Sequence, residues 1–447
     1  MSKLKASFYN LYFDVNNQHF IYNTLSTSIV GLDDDSYNIL KNNTIENLNK
    51  EYIDPLYEQG FLVEEDTDEP LKYLYFYNRT RLGGGAKLLS ITLMPTYQCN
   101  LACPYCLEGQ GKPSEMITSE QVNAILTFAE NEIIASKEHG VPISEMHARL
   151  YGGEPMLHKK AIIHFMEGMN QIAQNYNCKI SNYITTNFTL LDQQMIDFIR
   201  KFNIHVQVTI DGTQEEHDAR RVTKDGNGTY NIIVQNLEFM QKAGLSDNLS
   251  IRINIDQGNL PYAEEMLKTV GKYSQDTYFG LLEKYNGFND DFSNEFVSNE
   301  LDDREKTVIG LNDILRKHGY TVPEEFGKLA PCAINAENKW HIDCYLNVYK
   351  CELAVNQPKL KAGVLTLSGN FIPNANFYKQ LNHSPEHFDE CMTCKRLPLC
   401  ASGCATKGYI ARNQNDGNLD VNYCLCSEKG LIDYLKDYVL RLQQDVE

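Results

Sequence analysis

The chain has 447 residues, enough for about three domains, and 42% hydrophobic with 22% charged residues is typical of a folded globular protein. Its formal net charge of −18 disfavours nucleic acid as a partner, because phosphates repel an acidic surface. No apolar run approaches the length of a membrane helix, and the first residues lead into no signal-peptide core. We therefore expect a soluble, cytoplasmic protein that binds neither nucleic acid nor membrane.

Residues 1–70 form an acidic N-terminal block with four Lys, no Arg and 13 Asp or Glu. Aromatic and β-branched residues over positions 8–30 predict two strands that are joined by a turn at Asn16 and Asn17. Asp33 can cap a helix, and a second helical pattern follows it before residue 60. This order of strands and helices predicts a small winged-helix-like module.

Strands and helices alternate over the next part of the chain, which we assign to one domain at residues 71–320. The predicted strands cover residues 88–94, 147–151, 180–186, 204–210, 249–255 and 277–282. The predicted helices cover residues 120–137, 161–175, 193–202, 231–243 and 262–273. Regular alternation predicts a parallel sheet with right-handed crossovers. Six such units predict an α/β fold, a partial (β/α)6 barrel whose site lies at the carboxyl ends of the strands.

Residues 321–447 form a third region, which is loop-like and rich in cysteine before a last amphipathic helix at 431–442. The chain has 13 cysteines, of which three lie at 99–106 and nine between 332 and 426. Thiols are kept reduced in the cytosol, so clustered cysteines indicate metal or redox chemistry and not disulfides. A region with so little regular apolar pattern needs metal sites to hold it together. Two separate metal-binding regions are therefore predicted.

The first cysteine group, Cys99-x3-Cys103-x2-Cys106, directly follows the first predicted barrel strand. Three thiolates within eight residues can surround one metal centre, and iron–sulfur clusters are the usual occupant of such loops. Three ligands on a four-iron cluster leave one iron open for a substrate or cofactor. The alternative is a zinc knuckle with a distant fourth ligand.

This loop after the first strand of a six-unit barrel resembles the radical S-adenosylmethionine (SAM) superfamily. The resemblance implies a [4Fe–4S] cluster on the three cysteines, with SAM on the open iron. Reductive cleavage of SAM then yields a 5′-deoxyadenosyl radical that abstracts hydrogen from the substrate. The residues that the resemblance assigns to SAM are Tyr105, Gly152, Gly153, Glu154, Asn187, Thr209 and Arg221. The family more often has Ser where Thr209 stands, and the hydroxyl is retained.

The C-terminal cysteines resemble the SPASM extension of radical SAM enzymes that modify peptides and proteins. The resemblance implies two auxiliary [4Fe–4S] clusters, hence three clusters in all. The first auxiliary cluster would take Cys332, Cys351 and Cys404, and the second would take Cys391, Cys394, Cys400 and either Cys424 or Cys426. Cys344 is then either the fourth ligand of the first auxiliary cluster or a bystander that leaves an open iron. The alternative is a pair of four-cysteine zinc sites.

The N-terminal block resembles the leader-recognition element of enzymes that act on ribosomally made peptides. This resemblance predicts a peptide maturase, an oxidoreductase that forms a thioether or carbon–carbon crosslink in a precursor peptide with a leader. Flavodoxin or ferredoxin is the expected reductant. Two alternatives stay open. One is an anaerobic sulfatase-maturing (formylglycine-forming) enzyme, although in such enzymes the cysteine loop typically begins nearer the N-terminus than Cys99. The other is a non-catalytic iron–sulfur electron-transfer protein. The substrate peptide, the bond formed, the catalytic acid or base and the oligomeric state are not encoded in any motif we recognise.

Overall fold

The computed structural model describes residues 3–81, 88–106, 108, 113–282, 301–322, 332–355, 357–407, 424 and 427–444. Within these ranges, no helix combines the length and the apolar composition needed to cross a membrane.

The N-terminal block contains a three-stranded antiparallel sheet and a two-stranded ribbon. Its elements are β1 (Leu4–Ala6), β2 (Asn10–Val15), β3 (Gln18–Asn23), β4 (Ile29–Leu32), α1 (Asp34–Lys41), α2 (Lys50–Glu58) and β5 (Leu62–Glu64). The sheet has the order β2-β3-β4, and β1 pairs with β5. Asn16 and Asn17 both have positive φ, which confirms the predicted turn between β2 and β3. Helix α1 begins after Asp33, whose carboxylate accepts a hydrogen bond from the Ser36 N–H, so the predicted cap is also confirmed.

Helix α3 (Glu69–Arg81) joins this block to the barrel and was not predicted from the sequence. It buries Tyr73, Leu74 and Tyr77 against side chains of the C-terminal region. Because its apolar face packs on residues more than 300 positions away, local periodicity alone did not reveal it.

The barrel sheet is parallel through its six predicted strands, in the order β11-β10-β9-β8-β7-β6. These strands are β6 (Leu88–Leu93), β7 (Glu145–Leu150), β8 (Lys179–Thr186), β9 (Ile204–Ile210), β10 (Leu249–Ile255) and β11 (Asp276–Leu281). The helices are α4 (Ser119–Glu138), α5 (Lys159–Tyr176), α6 (Gln193–Phe202), α7 (Gln214–Arg220), α8 (Tyr230–Lys242), α9 (Ala263–Val270) and α10 (Leu301–Lys317). The alternating strands and helices and the partial, unclosed barrel are confirmed.

The C-terminal region is more ordered than the loop-like composition predicted. It contains β12 (Lys339–Ile342), β13 (Asn347–Tyr349), β14 (Gly363–Leu365), β15 (Phe371–Pro373), α11 (Ala375–Leu381), α12 (Asp389–Met392), α13 (Leu397–Cys400) and α14 (Glu428–Gln444). Strand β12 lies parallel to β6 and continues the barrel sheet, and β13 to β15 extend it further. Strands of three or four residues are too short to show a period-two pattern, which is why they were missed.

Two apolar cores join the N-terminal block to the C-terminal region. In one, Leu11 and Phe13 of β2 pack with Leu431 and Leu435 of α14. In the other, Tyr9 packs with residues of α3, α12 and α13. The barrel has its own, larger core between its sheet and helices.

Candidate active site

The cysteine loop 99–106 lies at the carboxyl end of β6 and is braced by neighbouring strand ends. The Ala102 N–H donates to the Val222 carbonyl at 2.8 Å. The Asn187 amide, at the end of β8, donates to Asn100 Oδ1 at 2.8 Å and to the Cys99 sulfur at 3.5 Å. These contacts hold the loop against the end of β8 and the segment that follows α7.

The three thiols of this loop are close enough to affect each other. Burial raises the pKa of the Cys103 thiol to about 11, and Cys106 and Cys99 raise it further, while the Arg221 guanidinium opposes the rise. A guanidinium beside three thiols suits an iron–sulfur cluster, because the iron ions stabilise thiolate ligands and the thiolate-bound cluster carries net negative charge.

Gly152 and Gly153 follow β7 and let the backbone approach the cysteine loop. A Cβ atom on Gly153 would lie 2.0 Å from the Gln98 carbonyl oxygen. Gly152 has a φ of +130° and its Cβ would lie 2.8 Å from the Thr96 carbonyl. Any larger residue would displace the start of the loop.

Glu154 is fully buried and connects this segment to the end of β8. Its carboxylate accepts hydrogen bonds from the Asn187 N–H at 2.7 Å, the Thr186 hydroxyl at 2.8 Å and the Met156 N–H at 2.9 Å. Burial raises its pKa, and these three donors oppose the rise. Glu154 therefore ties the segment that follows β7 to the end of β8.

Tyr105 brings together groups from the ends of β9 and β10 and from the residue that follows α7. Its hydroxyl hydrogen bonds to the Asp211 carboxylate and accepts from Arg221 Nη1 at 2.7 Å and from Asn254 Nδ2 at 3.5 Å. Burial raises the pKa of Tyr105 well above its ordinary value, although Arg221 opposes this, so the phenol stays neutral. His217 accepts from the Asp211 N–H at 3.2 Å, and burial lowers its pKa to about 3, so it is a neutral brace for the end of β9.

A cavity of about 860 Å³ lies inside the barrel and reaches this end of the sheet, and its volume is within the usual range of cofactor pockets. Of the seven residues predicted to contact SAM, Tyr105, Gly152, Thr209 and Arg221 line the cavity. Gly153, Glu154 and Asn187 instead brace the cysteine loop. The assignment of the seven to SAM stays a prediction.

The cavity also has charged residues that no motif indicated. Arg149 and Glu352 form an ion pair at 3.7 Å, and His147, Arg252, Lys339 and His341 line the same space. His147, Arg149 and Tyr151 alternate with the apolar Met146, Ala148 and Leu150 along and just beyond β7. A period-two search of each predicted strand would have identified such inward-facing polar positions.

The first auxiliary cysteine group borders this cavity, which Cys332 and Cys351 line. Burial raises the pKa of Cys351 to about 12, and the neighbouring Cys332 and Cys404 raise it further, so these three thiols lie together. For Cys344, burial and then Asp343 raise the pKa to about 12, and no cysteine is among the groups that act on it most strongly. Whether Cys344 is a ligand stays a prediction.

The second auxiliary group lies between α12 and α13. Burial raises the pKa of Cys391 to about 12, followed by the effects of Cys400, Glu390, Cys424 and Cys394. All four predicted cysteines that the structure describes are therefore neighbours. Cys426, the other candidate, lies outside the described residues.

The donor sets suit iron–sulfur clusters better than single ions. In the portions of the chain that are described, no three His, Cys, Asp or Glu side chains converge as one metal ion requires. A four-iron cluster instead holds its thiolates around a larger body, and all three groups consist of thiols.

The comparisons with known proteins agree with this site. The family model described as the radical SAM superfamily matches residues 93–270. A cysteine-type anaerobic sulfatase-maturating enzyme from Clostridium perfringens is 21% identical over 393 residues, covering 80% of this chain and 99% of that protein. The mycofactocin maturase MftC from Mycobacterium ulcerans is 24% identical over 348 residues, covering 74% of this chain and 86% of that protein.

Solved structures of one protein, SuiB, resemble nearly the whole chain. The crystal structure of Streptococcus suis SuiB bound to precursor peptide SuiA is 12% identical, with a TM-score of 0.54 over 95% of this chain and 100% of that chain. At this identity the likeness concerns the fold alone.

Proposed function

We propose that this chain, whose residues 93–270 match the model of the radical SAM superfamily, is a peptide maturase that installs a thioether or carbon–carbon crosslink in a ribosomally made precursor. The chain is a radical SAM enzyme with a [4Fe–4S] cluster and SAM as cofactors, and its relatives act on peptides or proteins. The alternative of a non-catalytic electron-transfer protein is set aside, because the domain and these relatives are enzymes. The crosslink, the auxiliary clusters and the leader-binding role belong to the proposal.

Cys99, Cys103 and Cys106 would hold the cluster, and Arg221 and Thr209 would orient SAM in the cavity. Once bound, these cofactors supply one-electron cleavage of the sulfonium and hydrogen abstraction from the peptide. Side chains of the barrel strands line this cavity and would surround the reacting carbon.

The observation that carries the proposal is the shared cavity. It is lined by Cys106 of the barrel loop and by Cys332 and Cys351 of the first auxiliary group. A crosslink removes two hydrogens from the peptide, one as an abstracted atom and one as a proton with an electron that needs an acceptor. An auxiliary cluster at the wall of the same cavity is suited to that role.

A second feature supports peptide recognition. Strand β4 is an edge of the N-terminal sheet, and a groove of about 280 Å³ runs between it and α2. The groove is lined by Val30, Leu32, Tyr52 and Leu56 among others. A leader peptide can add a strand to β4 and place its side chains in this groove. The other edge, β2, is less accessible because Lys395 Nζ donates to the Asn10 carbonyl at 3.1 Å.

The sulfatase-maturing alternative is favoured by one observation. The Clostridium perfringens relative matches over 99% of its own length, so that this chain contains the counterpart of nearly all of that protein. The two functions differ in product, since formylglycine formation replaces sulfur by oxygen whereas a thioether keeps the sulfur.

The experiment is product analysis. The reconstituted enzyme is incubated without oxygen with SAM, a reductant and the peptide encoded by a short reading frame beside this gene. We expect mass spectrometry to show loss of two hydrogens per crosslink. For a thioether we also expect loss of one alkylatable thiol with the sulfur retained. An unmodified peptide, or an aldehyde formed on a sulfatase peptide, would contradict the proposal.

A further inference from the structure

Two buried tyrosine hydroxyls lie beside the second auxiliary cysteine group without a hydrogen-bond partner among the described residues. They belong to Tyr9, which is 0% exposed, and Tyr73, which is 2% exposed. Leaving a buried hydroxyl unsatisfied is unfavourable, so native structures rarely keep two such groups together. An acceptor is therefore expected within reach of both.

Sulfur atoms of the second auxiliary cysteine group are acceptors of this kind. Tyr9, Tyr73 and Cys391 pack in one apolar cluster with Phe388 and Leu397. Burial raises the pKa of both tyrosines above the ordinary value. Among the further causes are Cys394 for Tyr9, and Cys400 and Cys391 for Tyr73. Both phenols therefore remain protonated donors beside three of the thiols of this group.

Glu69 fixes the position of both tyrosines. Its carboxylate accepts from the Ser7 hydroxyl and from the Phe8 N–H, each at 2.6 Å, and the Tyr9 N–H donates to the same Ser7 oxygen at 3.2 Å. Glu69 is also the first residue of α3, which carries Tyr73 one turn later. The two hydroxyls are thus presented from a rigid, hydrogen-bonded corner of the N-terminal block.

We propose that Tyr9 and Tyr73 donate hydrogen bonds to sulfur atoms of the second auxiliary cluster and thereby raise its reduction potential. The proposal rests on the part of the proposed function that assigns a cluster to Cys391, Cys394 and Cys400. Reduction adds negative charge to a cluster, and hydrogen bonds to its sulfurs stabilise that charge. The N-terminal block then has a second role besides peptide recognition, because it tunes a metal centre of the C-terminal region.

The test is a redox titration of the reconstituted full chain, followed by electron paramagnetic resonance, for Tyr9→Phe, Tyr73→Phe and the double variant. The titration is repeated with Cys99, Cys103 and Cys106 replaced by Ala, because removing the barrel cluster reduces the overlap between the resonance signals of the clusters. For each single variant we expect the ratio of oxidised to reduced second cluster at a fixed potential to rise at least threefold. A tenfold rise corresponds to 59 mV for one electron. The double variant should shift further, with iron content unchanged.

Tyr77→Phe is the matched control. Tyr77 lies one turn after Tyr73 on α3, is 1% exposed and belongs to the same apolar cluster, but its hydroxyl donates to the His383 carbonyl at 3.3 Å. Its removal should leave the midpoint of the second cluster unchanged. An equal shift in Tyr77→Phe would mean that repacking, and not a hydrogen bond to sulfur, causes the change.

A second measurement uses the wild-type protein, so it does not depend on whether a variant folds. After exchange into D2O, pulsed resonance of the reduced wild-type cluster should detect exchangeable deuterons coupled to it. Their absence, or an unchanged midpoint in a fully loaded double variant, would overturn the proposal. Neither measurement depends on peptide modification. Failure of this proposal can therefore be distinguished from failure of the proposed crosslinking function.

Discussion

The barrel carries its cysteine loop on one continuous parallel sheet, whereas the C-terminal cysteines lie among short elements that pack against the N-terminal block. In the barrel, each motif follows its own strand, and neighbouring strands bring the motifs together. At the other site, Thr24 and Lys395 hydrogen bond although they are 371 positions apart in the chain. The barrel site is therefore assembled within one core, whereas the second auxiliary site depends on both ends of the chain.

This difference has a consequence for experiments on the N-terminal block. Deleting residues 1–70 would remove the β4 groove but would also expose Leu435 and the apolar cluster around Cys391. Loss of peptide modification after such a deletion would not separate recognition from damage to the auxiliary cluster. Point substitutions separate the two effects.

The largest effect is expected in the barrel. Replacing Cys99, Cys103 and Cys106 by Ala should abolish 5′-deoxyadenosine formation and remove about four of about twelve iron atoms, as measured by chromatography and iron analysis. The auxiliary clusters should persist, because none of their proposed ligands is among the three cysteines replaced. Retained turnover would contradict the assignment of the barrel cluster.

A smaller effect is expected where the two ends of the chain meet. Leu435 of α14 is 0% exposed and packs with residues of β2, so Leu435→Ala should lower the free energy of unfolding by about 2–5 kcal/mol. Denaturant unfolding measures this, and proteolysis should cut the N-terminal block first. Leu440→Ala on the same helix, at a side chain that is 37% exposed, is the control and should change stability by about 0.5 kcal/mol or less. Equal destabilisation by the two variants would mean that this interface is not a core.

The smallest effect is expected at Cys344. We expect Cys344→Ala to keep its iron and its crosslinking activity, because the groups that act most strongly on this thiol are Asp343 and Glu115 and not cysteines. The first auxiliary cluster would then keep an open iron near the cavity. Loss of iron from this variant, measured against Cys351→Ala, would instead identify Cys344 as a ligand.

Local patterns predicted the barrel because its strands, caps and motifs are each contiguous in sequence. The apolar runs at 204–210 and 249–255 coincide with β9 and β10. The same patterns could not predict that Tyr9 would meet Cys391 or that β12 would join β6, because such pairings depend on packing between distant segments. For the same reason, the sequence could not reveal the hydrogen bonds that Tyr105 and Glu154 make to Asp211 and Thr186.

The central claim is that recognition lies in the N-terminal groove and chemistry lies in the barrel. Tyr52 and Tyr57 share helix α2 and are 41% and 45% exposed, but only Tyr52 is among the residues that line the groove. The most direct measurement is steady-state crosslinking of the precursor peptide by Tyr52→Ala and Tyr57→Ala. Peptide-independent SAM cleavage is recorded alongside it.

We expect Tyr52→Ala to raise the KM for the peptide about tenfold, because truncating an aromatic anchor at an interface costs more than about 1 kcal/mol. SAM cleavage without peptide should be unchanged in both variants, and Tyr57→Ala should retain the wild-type KM. Equal KM values for the two variants, or a matching fall in SAM cleavage by Tyr52→Ala, would contradict the separation of recognition from chemistry.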